Sequence, residues 1–192
     1  MAVMLILLAA AVKVVASTGP QSRRAASDVL TGMIEQARST AITRRCPVFL
    51  AIAEPGDRIS SDRHTRIGLF LIPTWTAGAA VQDAVPLRRW EALPPGVVLI
   101  PEPVDGQRNP LDLPEITLRY QQAGLSTTGH FHGVAFTSRG GVSWPPGIEP
   151  IVMRVAQGSY RNGRSVADGN GHAIPEDCLT IGRMVARSYR SN

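Results

Sequence analysis

The chain has 192 residues and a mass of 20.6 kDa, enough for one domain of ordinary size plus an appendage. An apolar share of 44% supplies a core and excludes a disordered chain, while 18 glycines, 15 prolines and few aromatics exclude a plain helical bundle and favour short strands and turns. The net charge of +5 and pI near 10.0 permit an anionic partner without requiring one; nearly every basic residue is arginine, Lys13 being the single lysine, which fits either bidentate phosphate contacts or a codon bias of the genome.

The first stretch, MAVMLILLAAAVKVVAS, carries one charge, Lys13. It falls a little short of the roughly 20 apolar residues of a membrane-spanning helix. It has small residues at Ala16 and Ser17 but lacks the basic start of a secretory signal. A short break at Ser17, Thr18, Gly19 and Pro20 follows. Residues 22–45 then predict an amphipathic helix, with Ala25, Val29, Met33, Ala37 and Ala41 recurring at i+4 and Leu30, Ile34 and Ile42 widening the stripe. Arg23, Arg24, Glu35, Arg38, Arg44 and Arg45 lie mainly off it; Ser22 is the expected N-cap and Pro47 the stop.

From residue 46 the pattern becomes strand-like. Residues 47–53 and 66–72 predict two strands joined by a polar loop, and 73–95 reads as a proline-rich connection. Further strands are expected at 96–101, 115–120, 133–137 and 148–155, with a turn over SRGGVSWPPG, and a last pair around Ala173–Ile174 and 179–187 follows a Gly/Asn-rich loop. The expected fold class is α+β, a long N-terminal helix (apolar segment plus amphipathic half) packed on an antiparallel β-sheet body, divided as 1–45 for the helix and 46–192 for the body.

Several motifs occur in a telling order. Ala37-Arg38-Ser39-Thr40-Ala41-Ile42 is followed by Arg44-Arg45-Cys46-Pro47-Val48 and a strand; TRIGLFLI, WEALPPGVVLI and GVAFTSRGGV come later. In this order the chain resembles the type IV pilin-like proteins, in particular the GspH/FimT group of minor pseudopilins and minor pilins, over most of its length. The resemblance implies a subunit of a type II secretion or type IV pilus-like filament. It would be anchored once in the bacterial inner membrane with its body in the periplasm or outside the cell. Its partners would be other pilin subunits and membrane lipid, with no small-molecule substrate, cofactor or metal. The assembly helix would use Leu5, Ile6, Leu7, Leu8 and the small residues Ala9, Ala10 and Ala11, which let helices approach closely. Prepilins carry a basic leader ending in Gly, then Phe-Thr-Leu and a Glu in the apolar run. None of these is present, so either the true start lies upstream or the protein is a divergent one that is not processed.

Candidate chemistry is sparse. His130 and His132 would share one face of a strand, but no nearby Cys or carboxylate completes a metal set, and Gly129 and Gly133 point to a turn. His64 and His172 stand apart, and Asp57, Asp62, Glu102 and Asp105 are loop carboxylates. There is no G-x-S-x-G and no phosphate-cradling glycine loop before a helix, so a non-enzyme is expected. Cys46 and Cys178 would either pair or remain buried free thiols. The C-terminal Arg183, Arg187 and Arg190, with no acid among 178–192, would give salt-sensitive phosphate contacts. Their Gly-Arg start resembles the tail of DNA-binding FimT-like minor pilins, although the second arginine follows two residues late. Two further readings are therefore a DNA-binding minor pilin and a secreted β-rich binding protein cleaved near Ala16.

Overall fold

The computed structural model describes residues 2–53, 65–76, 79–161, 164–167, 175–184 and 188–191; the side chains of residues 2–19, 161, 164 and 191 are outside the description. One helix, α1 (Ala2–Arg44), opens the chain and runs for 43 residues, about 65 Å at 1.5 Å per residue. The break expected at 17–20 does not form, and Ser22 is helical rather than a cap: Pro20 lies inside the helix. Proline costs one backbone bond there, and the Ala-, Leu- and Met-rich turns on either side carry the helix through. The buried face of α1 is also rotated from the predicted stripe. Ala26, Leu30, Met33, Ile34, Ala37 and Ala41 are in the core, whereas Ala25 and Ile42 are exposed.

The strands are β1 (Val48–Ala53), β2 (Arg66–Leu71), β3 (Gln82–Asp83), β4 (Val85–Pro86), β5 (Glu91–Ala92), β6 (Val97–Ile100), β7 (Ile116–Gln122), β8 (Leu125–Phe136), β9 (Val142–Trp144), β10 (Ile151–Arg161), β11 (Arg164–Ala167), β12 (Glu176–Ile181) and β13 (Ser188–Ser191). Two sheets result. The first is ordered β3-β7-β8-β1-β2-β4, with β5 added to β2 and β9 to β8. The strip 82–86 serves both ends of that order: β3 pairs in parallel with β7, and β4 pairs antiparallel with β2. The pairings therefore run in a closed ring, and the sheet curls around its own core of Phe49, Phe70, Leu118, Tyr120 and Phe131, with Trp90 packed against it. The second sheet is antiparallel, β11-β10-β12-β13, with β6 on β10.

Helix α1 lies across both sheets. Its apolar face meets Val48, Leu50 and Ile52 of β1, Leu69 of β2, Leu99 of β6, Met153 and Val155 of β10, and Leu179 and Ile181 of β12. Strand β1 is buried on both faces, odd residues Phe49 and Ala51 facing the ring's core and even residues facing the helix, as the two-residue period requires. The glycine pair read as flanking a turn at 129–133 instead lies within β8, which pairs antiparallel with β1, Gly133 opposite Ala51. A Cβ at Gly133 would overlap the Leu50 carbonyl oxygen and come within 2.8 Å of the Phe49 ring, so only glycine allows this close pairing. At Gly68 the same space is filled by the Trp90 ring at 2.8 Å.

Candidate functional site

The most developed polar cluster joins the helix to the end of the chain. Strand β12 alternates so that Asp177 shares a face with Leu179 and Ile181, and that face is turned to α1. Its carboxylate is fully buried. Ser27 Oγ donates to Asp177 Oδ2 at 2.9 Å, and Arg190 Nη2, from β13, donates to the same oxygen at 2.5 Å. Arg23, one helical turn before Ser27, brings Nε to 3.2 Å from Oδ1, an ion pair without the alignment of a hydrogen bond. Arg190 Nη1 also reaches the exposed Asp28 at 3.7 Å. Two carboxylates and two guanidiniums thus balance. An isolated buried carboxylate would cost several kcal/mol, so its partners fix where the helix sits against β12 and β13.

The three C-terminal arginines are not brought together as a phosphate-binding row. Arg190 belongs to this clasp. Arg183, in the turn after β12, donates from Nη1 to the Pro145 carbonyl and from Nε to the Glu149 carbonyl at 2.6 Å. Burial lowers its pKa from the ordinary arginine value, against the raising effect of Glu149. Arg187 lies outside the described residues. The expected assembly residues Leu5, Ile6, Leu7, Leu8, Ala9, Ala10 and Ala11 fall in helical backbone, with their side chains outside the description. Among the described residues no helix is long and apolar enough to cross a membrane.

Of the two readings of Cys46 and Cys178, paired or free, the structure has both as free thiols. Cys178 neighbours Asp177, which holds Ser27, and from Ser27 the helix runs on toward Arg44 and Cys46 for roughly 25 Å. A disulfide requires Cα atoms within about 7 Å. Burial, aided by Glu176, pushes the Cys178 thiol above its usual pKa. His130 accepts or donates a 2.9 Å contact with Thr117, whereas His132 meets the Leu113 carbonyl at 2.9 Å and Glu115 at 3.6 Å. No group of three or more metal-ligating side chains forms among the described residues. Glu102 and Asp105 are exposed on the loop after β6; His64, His172, Asp57 and Asp62 lie outside the described residues. An open groove of about 500 Å³ beside Trp90, Arg89 and Gln122 is lined by no paired acid and base.

The fold and the cluster define an α+β protein whose single long helix is locked by a buried ionic clasp to a two-sheet body. Two solved structures similar to it are both of the type IV minor pilin FimU of Pseudomonas aeruginosa strain PAO1. One is 15% identical over 90% of each chain with a TM-score of 0.42; the other is 15% identical over 88% of this chain and 92% of that one, with a TM-score of 0.39. No family model and no curated protein matches the chain.

Sequence reasoning missed the clasp because the expected last strand began at residue 179, which left Asp177 outside it; its expected partner strand at Ala173–Ile174 lies outside the described residues. The signal was there: in EDCLTI the aspartate stands two and four residues before Leu179 and Ile181.

Proposed function

We propose that the protein is a non-catalytic, pilin-like subunit of a type II secretion or type IV pilus-like filament. In this reading the helix inserts into the filament and the body lies outside, after anchoring in the bacterial inner membrane with the body on the periplasmic side. The observation that carries it is the division of labour along one unbroken helix. Residues 26–41 supply the face buried on the body, and Arg23 and Ser27 bind the clasp. The helix continues N-terminally through the apolar segment with no break at which a body would end. The motif order from Ala37 to Val48 supports the same reading. A rigid link between helix and body suits a subunit that must pass force from one to the other. The partners are other subunits of this kind, and no reaction, cofactor or metal is assigned.

The test is fractionation of cells producing the full chain or a chain lacking residues 1–19. The full chain is expected in the membrane fraction and in sheared filaments, and the shortened chain in the soluble fraction alone. Recovery of the shortened chain in filaments at the full-length level would overturn the proposal.

A further inference from the structure

At the end of the body where α1 terminates, three segments meet. The 138–141 turn lies against the helix, a Cβ at Gly140 coming within 2.9 Å of Ile42 Cδ1, and a Cβ at Gly141 would stand 3.1 Å from the Met184 carbonyl oxygen. Val142 N–H donates to the Arg183 carbonyl at 2.9 Å, joining that turn to the one after β12. Arg183 in turn grips the 145–149 loop through its two carbonyl acceptors. This surface exposes three aliphatic side chains: Ile148 is 90% exposed, Met184 89% and Ile42 42%. Arg44 and Arg45, which follow Ile42 at the end of α1, and Arg139, beside Gly140, are exposed, and their side chains make no ion pair or hydrogen bond among the described residues. The Glu149 carboxylate on the Ile148 loop is occupied by Arg108 at 3.4 Å, and Glu35, further back on α1, by Arg38 at 3.4 Å.

Ile148 is held out in water on a fastened loop. Arg183 fixes the loop from below, Arg108 N–H donates to the Pro150 carbonyl at 2.9 Å, and Ile148 N–H bonds the Glu149 carboxylate at 3.2 Å. An anchor fixed in advance loses little freedom on binding. Exposed aliphatics ringed by arginine mark protein interfaces, in whose cores Met and Arg are enriched. Single-stranded nucleic acid is instead bound on rows of aromatic rings, and among the described residues no ring but Tyr189, on the adjoining strand β13, is exposed here.

We propose that this end of the body docks an acidic protein surface containing an apolar hollow, with Ile148 and Met184 filling the hollow and Arg44, Arg45 and Arg139 pairing with the surrounding carboxylates. The proposal does not depend on the filament reading, since it needs only the exposed patch.

The test uses the full chain and three fluorescent probes: a peptide of repeating Glu-Glu-Leu, one of repeating Glu-Glu-Ser, and an oligo-dT strand, each followed by anisotropy at low and high salt. The Leu-bearing peptide is expected to bind at least about tenfold more tightly than the Ser-bearing one. The I148S/M184S variant should remove that difference. The R44E/R45E/R139E variant should weaken both peptides about a hundredfold and abolish the salt dependence. All five changes are on exposed side chains, and unaltered circular dichroism would establish that the variants fold. Three results overturn the proposal: equal binding of the two peptides, tighter binding of oligo-dT that is indifferent to I148S/M184S, or self-association of the chain that I148S/M184S abolishes, which would make the occupant a second copy.

Discussion

Replacing Asp177 by alanine tests whether the clasp holds the helix to the body. The carboxylate is fully buried and has three partners, Arg190 at 2.5 Å, Ser27 at 2.9 Å and Arg23 at 3.2 Å. Removing one member of a buried pair costs about 3–5 kcal/mol, because the charge left behind is uncompensated. Here the orphaned guanidiniums keep some access to water, at 15% side-chain exposure for Arg23 and 28% for Arg190, and Arg190 retains Asp28 at 3.7 Å. The expected loss is therefore near the low end, about 3 kcal/mol. Arg190→Ala should cost less, about 2 kcal/mol, since Ser27 and Arg23 remain on the carboxylate, and the double variant should fall short of the sum. The assay is urea unfolding followed by the fluorescence of Trp75, Trp90 and Trp144. A value for Asp177→Ala within about 0.5 kcal/mol of the parent, at unchanged denaturant slope, would refute the argument that the cluster is more than a surface ion pair.

Three other outcomes are expected. Gly133→Ala should destabilise by about 3 kcal/mol or more in thermal unfolding, because the added methyl overlaps the β1 backbone rather than a side chain that can move. Tyr120 is buried, its hydroxyl has no partner, and burial raises its pKa, so the folded state favours the neutral phenol. The resulting stabilisation is intact below the unfolded phenol's pKa of about 10 and is lost as pH rises through the higher folded value. Tyr120→Phe should remove that alkaline loss without cost at neutral pH, as read from unfolding midpoints across an alkaline series. Iodoacetamide at mildly alkaline pH should modify Cys178 more slowly in the folded chain than after unfolding, by peptide mass; equal rates would contradict its burial and raised pKa.

The helix and the apolar strands were legible in the sequence because each is a long or contiguous run: β1, β2 and β6 fall within the segments read as strands. What stayed hidden depends on partners distant in sequence. The strip 82–86 contains Pro86 and makes two residues of pairing on each side, so nothing local distinguishes it from a loop. Strand β8 was curtailed because Gly129 and Gly133 are ordinarily breakers, whereas here the Phe131 ring fills the space at Gly129 and the β1 backbone at Leu50 fills it at Gly133. Pro20 was read as an interruption on local propensity, whereas its neighbours on both sides sustain the helix. At the candidate site, Arg183 and Arg190 were legible as cations, but whether a cation meets solvent or a buried acceptor is decided by the packing of β12 and the 145–149 loop.

The strip that closes the first sheet has a consequence for solubility. A sheet edge is a row of unpaired amides and carbonyls that any extended chain can join, and proteins that crowd together are the ones most exposed to that accident. By pairing two residues of β7 on one side and two of β2 on the other, five residues interrupt the two rims along which a foreign strand would otherwise add. A molecule proposed to line up side by side with its own kind thereby leaves recognition to its helix and its patches, and withholds its larger sheet from it.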